Sequence, residues 1–61
     1  MSNLLTRKDA AQKLDISLPT LDRLIARSDF PKIRIGRSVK IPEELLDQWI
    51  RENIGQEVQL Q

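Results

Sequence analysis

Apolar residues near the start of the chain recur at the spacing of one helix face. Ala10, Ala11 and Leu14 fall on one side of a helix with 3.6 residues per turn. Thr6 precedes this run and is followed three residues later by an aspartate, which is the spacing of a capping box with Asp in place of Glu. The pattern therefore predicts a first helix over residues 7–14.

A second helix is predicted after a short turn at Asp15. Ser17 is a good N-cap, and Pro19 falls in the first helical turn, where its missing N–H costs no hydrogen bond. Because the residue before Pro31 avoids helical geometry, we expect this helix to run over residues 18–28. Its buried side is predicted at Leu21, Leu24, Ile25 and Ser28.

Between residues 32 and 41, apolar and polar residues alternate on both sides of Gly36, which predicts a β-hairpin. For the four apolar residues of this run to share one face, Ile35 must pair with Val39. That register implies a three-residue loop over residues 36–38.

The outward side of the hairpin is predicted to be cationic. In this register Arg34 lies directly opposite Lys40, and Arg37 lies at the tip. Like charges in opposed positions destabilise a hairpin, so the arrangement favours an anion beside them, such as a DNA phosphate. The alternative interpretation is that these charges block edge-to-edge aggregation of an exposed strand.

A third helix is expected to open at Pro42, with two glutamates near its positive end, and to stop at Gly55. Its apolar stripe is predicted at Leu45, Leu46, Trp49, Ile50 and Ile54. Residues 56–61 show no period and are predicted to be a disordered tail, so that one domain spans residues 1–55. The fold class is therefore mainly α with a small β-hairpin, a winged helix-turn-helix with three helices and a two-stranded wing.

The composition excludes several kinds of functional site. The chain has no cysteine, which excludes disulfides and thiolate metal sites, and no histidine, which removes the commonest general base. We expect no cofactor, no metal site and no catalysis. No apolar run approaches the ~20 residues of a membrane helix, and the first residues lack the apolar stretch of a signal peptide. A cytoplasmic location is therefore expected.

Positive charge is concentrated in the middle of the chain. The net charge of the whole chain is only +1. Residues 23–40 carry six basic side chains and Asp29 as the single acid, a balance of +5. Residues 41–61 carry one basic and five acidic side chains, a balance of −4. A patch of this kind is expected of a phosphate-binding surface.

Six short segments carry a resemblance to a known family. They are residues 5–17, LTRKDAAQKLDIS; residues 19–25, PTLDRLI; Phe30-Pro31; residues 33–37, IRIGR; Ile41-Pro42; and Trp49-Ile50. In this order they resemble the excisionase-type helix-turn-helix family, which is related to the DNA-binding domains of MerR-type regulators. The resemblance covers about residues 4–53. It implies a winged-helix fold, with the second helix in the major groove of duplex DNA and the wing on the backbone or in the minor groove.

The resemblance assigns DNA contacts to two groups of residues. Ser17, Thr20 and Arg23 match helix positions that face DNA, and Arg34, Arg37 and Lys40 match the wing. Thr20 and Arg23 would read base edges, whereas Ser17 and the start of the second helix would hold a phosphate. Arg27 is a further candidate, although it also fits as a complement to the helix dipole near the helix end. A solvated helix face is the alternative interpretation of Arg23 and Arg27.

Two positions depart from the family's pattern. Asp15 stands where the family usually has glycine, which is expected to strain the turn slightly. Asp22 stands where relatives often carry a polar, aromatic or basic residue. An acidic group there would either accept a hydrogen bond from a cytosine amino group or face solvent.

The resemblance implies an excisionase-like factor of a phage or mobile element that bends DNA and directs recombination. One alternative is a small phage-type transcriptional regulator on the same fold. An alternative of another class is a protein-interaction module without DNA binding. The expected partners are double-stranded DNA, further copies of the chain on DNA, and an integrase. No membrane partner is expected, because no apolar run is long enough to span one. No small-molecule effector is expected either, because the chain is too short for the dimerisation helix and effector domain of MerR-type regulators.

Overall fold

In a computed structural model that describes residues 3–56 and Val58, the chain folds as a winged helix-turn-helix. The elements in chain order are β1 (Leu4–Leu5), α1 (Arg7–Leu14), α2 (Leu18–Ile25), β2 (Ile33–Ile35), β3 (Ser38–Pro42) and α3 (Glu43–Glu52). The strands form one antiparallel sheet in the order β1-β3-β2, in which β2 and β3 are the wing. The predicted fold class is confirmed, with one strand more than predicted.

The predicted end of the domain at residue 55 stays a prediction. Glu57 and residues 59–61 of the predicted tail lie outside the described residues. Val58 is partly buried and packs against the hydrophobic core.

α1 has the predicted bounds because both of its ends are capped. Thr6 Oγ1 accepts a hydrogen bond from the backbone N–H of Asp9 at 3.0 Å. Asp15 ends the helix in the left-handed conformation, with φ of +57°, and its N–H is directed to the carbonyl groups of Ala11 and Gln12. Because this conformation crowds a Cβ, glycine adopts it at the lowest cost, which explains the strain expected from an aspartate here.

α2 ends at Ile25, three residues earlier than predicted. The backbone tightens beyond this point, since the N–H of Arg27 bonds to the carbonyl oxygen of Leu24 at 3.0 Å. The carbonyl oxygen of Arg27 accepts a hydrogen bond from Lys32 Nζ at 2.9 Å, so a side chain satisfies it in place of a continued helix. The prediction that Ser28 lies on the buried side is wrong, because this turn leaves it exposed.

The core lies where the helices meet β3. Four of its residues are completely buried: Ala10, Leu21, Ile41 and Leu46. The small side chains of Ala10 and Ala11 let α2 approach α1 closely. Phe30 packs edge-on against Trp49, with ring centroids 5.0 Å apart, and this contact fixes the turn after α2 against α3.

The predicted register of the wing is wrong by one residue. Ile35 pairs with Ser38 and not with Val39, so the loop contains two residues, Gly36 and Arg37, instead of three. Gly36 has φ of +59°, which suits the first central position of a two-residue type II′ turn, where glycine is favoured. The tight turn therefore determines the pairing of the two strands. The resulting register leaves Ile33 and Ile35 exposed instead of burying every apolar residue of the wing.

The observed register separates the wing cations from each other. Arg34 lies opposite Val39, on the face that continues into the core. Lys40 lies opposite Ile33 on the other face, so the predicted opposition of Arg34 and Lys40 is wrong and their mutual repulsion is no argument for a bound anion. Ile33 and Ile35 share the outer face with Lys40 and are 41% and 53% exposed.

β1 is a strand that the apolar pattern does not predict, because two residues are too few to show alternation. It pairs only with Ile41 and Pro42. The N–H of Glu43 bonds to the carbonyl oxygen of Asn3 at 2.8 Å, which ties this strand to the first turn of α3. Since β1 covers only the end of β3, no strand among the described residues pairs with residues 38–40 of β3 on the side away from β2.

The register predicts opposite effects of two isoleucine substitutions. Ile35→Thr should change the free energy of unfolding by less than about 0.5 kcal/mol, because this side chain is mostly exposed. Ile41→Ala should cost about 2–5 kcal/mol, because it leaves a cavity in the core. Urea unfolding followed by the fluorescence of Trp49, the single tryptophan, measures both values. A large loss for Ile35→Thr would support the three-residue loop instead.

Candidate nucleic-acid interface

A cationic cleft lies between the starts of α1 and α2 and the wing. It has a volume of about 580 Å³ and is lined by Thr6, Arg7, Lys8, Leu18, Arg37, Ser38, Val39 and Lys40. Four of these eight residues are basic and none of the eight is acidic. Residues 38–40 of the wing lie on the edge of β3 that no described strand pairs with. The sugar-phosphate backbone of a bound nucleic acid could approach the protein along this edge.

Arg7 and Lys8 are candidate functional residues that the sequence prediction omits. They lie in the first turn of α1, where the helix dipole is positive and cations are unfavourable. A basic pair directly after the N-cap Thr6 is therefore the signal that could have identified them. Lys8 is exposed and makes no side-chain hydrogen bond or ion pair with the residues that the structure describes.

The carboxylate of Asp22 on α2 forms an ion pair with a side chain of α1. Arg7 Nη1 donates a hydrogen bond to Oδ1 of Asp22 at 2.8 Å. Both side chains are about half exposed, at 46% and 49%. The pair satisfies the carboxylate within the protein and holds the Arg7 guanidinium beside the cleft.

Ser17 and Thr20 are hydrogen-bonded to each other. Ser17 Oγ accepts a hydrogen bond from the N–H of Thr20 at 3.3 Å and lies 2.9 Å from its Oγ1. Thr20 is half-buried and lines a groove beside Leu24 and Trp49. Residues that are two positions apart in an α-helix point in directions roughly 200° apart. Thr20 therefore faces away from Leu18, which lines the cleft. Ser17 is the N-cap of α2, as expected, whereas a DNA contact by either residue stays a prediction.

The two arginines at α2 have different surroundings. Arg23 is exposed and has no side-chain hydrogen bond or ion pair among residues 3–56. Arg27 lies beyond the end of α2 and donates from Nε and Nη2 to the two carboxylate oxygens of Asp29, both at 2.9 Å. The hydrogen bonds from Arg27 hold the pKa of Asp29 below its usual value. Arg23 is thus better placed than Arg27 to meet DNA.

The three wing cations do not form one group. Arg37, the second residue of the turn, and Lys40 on β3 both line the cleft. Arg34 is exposed on β2 and does not line it. Within the described part of the chain none of the three has a side-chain partner, so their charge is available to a ligand.

The profile of the helix-turn-helix domain family matches residues 4–54, which include every helix and strand of the structure. The chain belongs to the helix-turn-helix domain family. No significant match was found among curated proteins or solved structures. Membership of the family supports DNA binding by this helix-turn-helix domain, and the relation to MerR-type regulators stays a prediction. No helix in the described residues is long and apolar enough to cross a membrane.

The acidic start of α3 is partly neutralised within the helix-turn-helix domain. Lys13 Nζ on α1 lies 3.2 Å from Oε2 of Glu43 and 2.9 Å from Oδ1 of Asp47. The hydrogen bond to Asp47, and to a smaller extent the one to Glu43, raises the pKa of Lys13 above its ordinary value. The three side chains join α1 to α3 outside the cleft, and their pairing reduces the repulsion that the carboxylates would exert on phosphates.

Asp22→Asn should strengthen binding of duplex DNA roughly threefold to tenfold, which corresponds to about 1 kcal/mol. The substitution removes a negative charge near the cleft and releases Arg7 for a phosphate. The free energy of unfolding should change by less than about 1 kcal/mol, the range of exposed ion pairs. Fluorescence anisotropy with a labelled duplex measures the affinity.

The control for this prediction is Glu52→Gln, which makes the same change of charge on α3 beside Trp49. It should leave the affinity for DNA nearly unchanged, because Glu52 does not line the cleft. Weaker binding by Asp22→Asn would instead indicate that the carboxylate accepts a hydrogen bond from a cytosine amino group.

Proposed function

We propose that this helix-turn-helix domain binds double-stranded DNA with sequence preference, with α2 in the major groove and the wing on the backbone or in the minor groove. The observation that carries the proposal is the cationic cleft. Lys8, Arg37 and Lys40 line it without partners among the described residues. In a chain of net charge +1, such a concentration of free cations creates a local attraction for phosphates.

The shape of the cleft suits one strand of the DNA backbone. With α2 in the major groove, the phosphates between this groove and the next would pass between α2 and the wing. Arg7 and Lys8 would hold them from the side of α1, and Arg37 and Lys40 from the side of the wing. Contacts of this kind fix the orientation of α2 on the duplex and carry no sequence information themselves.

The remaining predicted site residues have supporting roles in this proposal. Ser17 and Thr20 act through the N-terminal cap of α2, since their hydroxyl groups bond to each other. Arg27 acts through Asp29, by holding the turn after α2. Arg34 adds positive charge to the wing outside the cleft. Sequence preference is assigned mainly to Arg23, whose guanidinium suits a bidentate contact with a guanine edge.

The cellular role that we assign is that of an excisionase-like factor in recombination of a phage or mobile element. The order of the six segments from residue 5 to Ile50 supports this assignment by resemblance. A single domain of this size buries only roughly 600–1,000 Å² on DNA, so the proposal includes neighbouring copies bound in tandem and an integrase as partner. An integrase gene beside this one would separate this role from transcriptional regulation. The proposal includes no catalytic step.

Binding to duplex DNA should weaken steeply as salt rises, because each phosphate contact releases counterions. Four or five contacts in the cleft and on α2 predict a slope of roughly −4 for log K against log salt concentration. Electrophoretic mobility assays between about 50 and 200 mM salt measure this slope. Lys8→Ala should reduce its magnitude by about one, whereas the exposed Arg51→Ala on α3 should leave it unchanged. Salt-independent binding, or binding to no duplex, contradicts the proposal.

Arg23→Ala and Arg37→Ala should weaken binding in different ways. Arg23→Ala is expected to cost about 1–3 kcal/mol and to relax the preference at one base position, because it removes a base contact. Arg37→Ala is expected to weaken binding to all sequences about equally, because it removes a phosphate contact. Selection of sites from random duplexes, followed by Kd measurements, separates the two effects. If Arg23→Ala keeps both affinity and preference, α2 is not the recognition helix.

A further inference from the structure

The exposed side of α2 and its C-cap carry five side chains, Leu18, Pro19, Asp22, Arg23 and Ala26. Three of the five are apolar. Leu18 is 39% exposed although it is large and lies beside the cations of the cleft. The side of the helix that would face DNA is therefore largely without hydrogen-bonding groups.

The few polar groups on this side are nearly all engaged. The carboxylate of Asp22 accepts a hydrogen bond from Arg7 at 2.8 Å. The hydroxyl of Thr20 lies at the edge of this side and is bonded to Ser17. On the exposed side of α2, as far as the structure describes it, Arg23 alone keeps free donors for a base edge.

Base edges in the major groove offer one apolar feature, the C5 methyl group of thymine. The other groups on these edges are donors and acceptors, and an apolar side chain against them would remove their water without replacing the hydrogen bonds. The residues that reach base edges are those at the N-terminal end of a recognition helix. Leu18 and Pro19 occupy that end of α2.

We infer that Leu18 and Pro19 read the methyl groups of thymines next to a guanine that Arg23 contacts. This inference rests on the proposed function and adds the kind of base that the domain prefers. Loss of one contacted methyl group predicts about a fourfold loss of affinity, which corresponds to ~0.8 kcal/mol per buried CH₂. Uracil lacks only this methyl group and keeps the base pairing of thymine, so it isolates the contact.

The experiment compares thymine with deoxyuridine in one DNA duplex. The full chain first selects its preferred sites from a library of random duplexes. The best duplex is then synthesised with deoxyuridine in place of each thymine in turn, and Kd is measured by anisotropy. We expect one or two positions at which deoxyuridine weakens binding about fourfold. Leu18→Ala should bind both duplexes nearly equally at such a position, and Pro19→Ala should reduce the difference as well.

Two variants serve as matched controls. Leu45→Ala truncates a leucine that is 51% exposed on α3, outside the cleft, and should keep the full difference between thymine and deoxyuridine. Arg23→Ala should lose affinity but also keep that difference, because it removes a different contact. Urea unfolding monitored by Trp49 fluorescence shows that each variant is folded.

The outcomes separate the inference from the proposed function. Equal affinity for thymine and deoxyuridine at every position overturns the inference and leaves DNA binding intact. If Leu18→Ala and Pro19→Ala both keep the full difference in affinity between thymine and deoxyuridine, the difference arises from DNA shape. That result also overturns the inference. Binding to no duplex at all overturns the proposed function itself.

Discussion

The burial of Ile41 in β3 fixes the position of the wing relative to the three helices. Its side chain is completely buried, and its backbone pairs with Leu5 of β1. The next residue, Pro42, precedes the first turn of α3, whereas residues 38–40 of the same strand pair with β2. A single strand thus runs from the wing into the core. The width of the cleft between Lys40 and the start of α1 depends on this anchor, because Ile41 and its neighbour Pro42 are the buried residues of the wing.

Short-range signals made the helices more predictable than the wing. The caps at Thr6 and Ser17 depend on hydroxyl groups that bond three residues away, so the sequence alone contains the whole interaction. The end of α2 depends in part on Lys32, which lies in another segment and satisfies a carbonyl group of the turn. Periodicity could not show that contact.

The register of the wing was harder to predict because a period of two allows two registers that differ by one residue. The assumption that every apolar residue is buried selected the wrong one. The glycine at position 36 was the more reliable signal. With Arg37 it forms a two-residue turn, in which glycine is favoured at the first position. The cleft itself arises from β1, which brings Arg7 and Lys8 next to Lys40 and shows no pattern of its own.

The two-residue turn at Gly36 also bears on how binding energy would be distributed. The wing is only three residue pairs long, and its conformation is set by a turn and a strand ladder before any ligand arrives. Binding therefore does not incur the loss of chain entropy that would accompany the ordering of a flexible arm. For a domain of this size, this preorganisation removes one of the entropy costs of binding, so that more of the contact energy remains as affinity. The heat-capacity change on binding then reflects the apolar surface removed from water, without a contribution from folding of the wing.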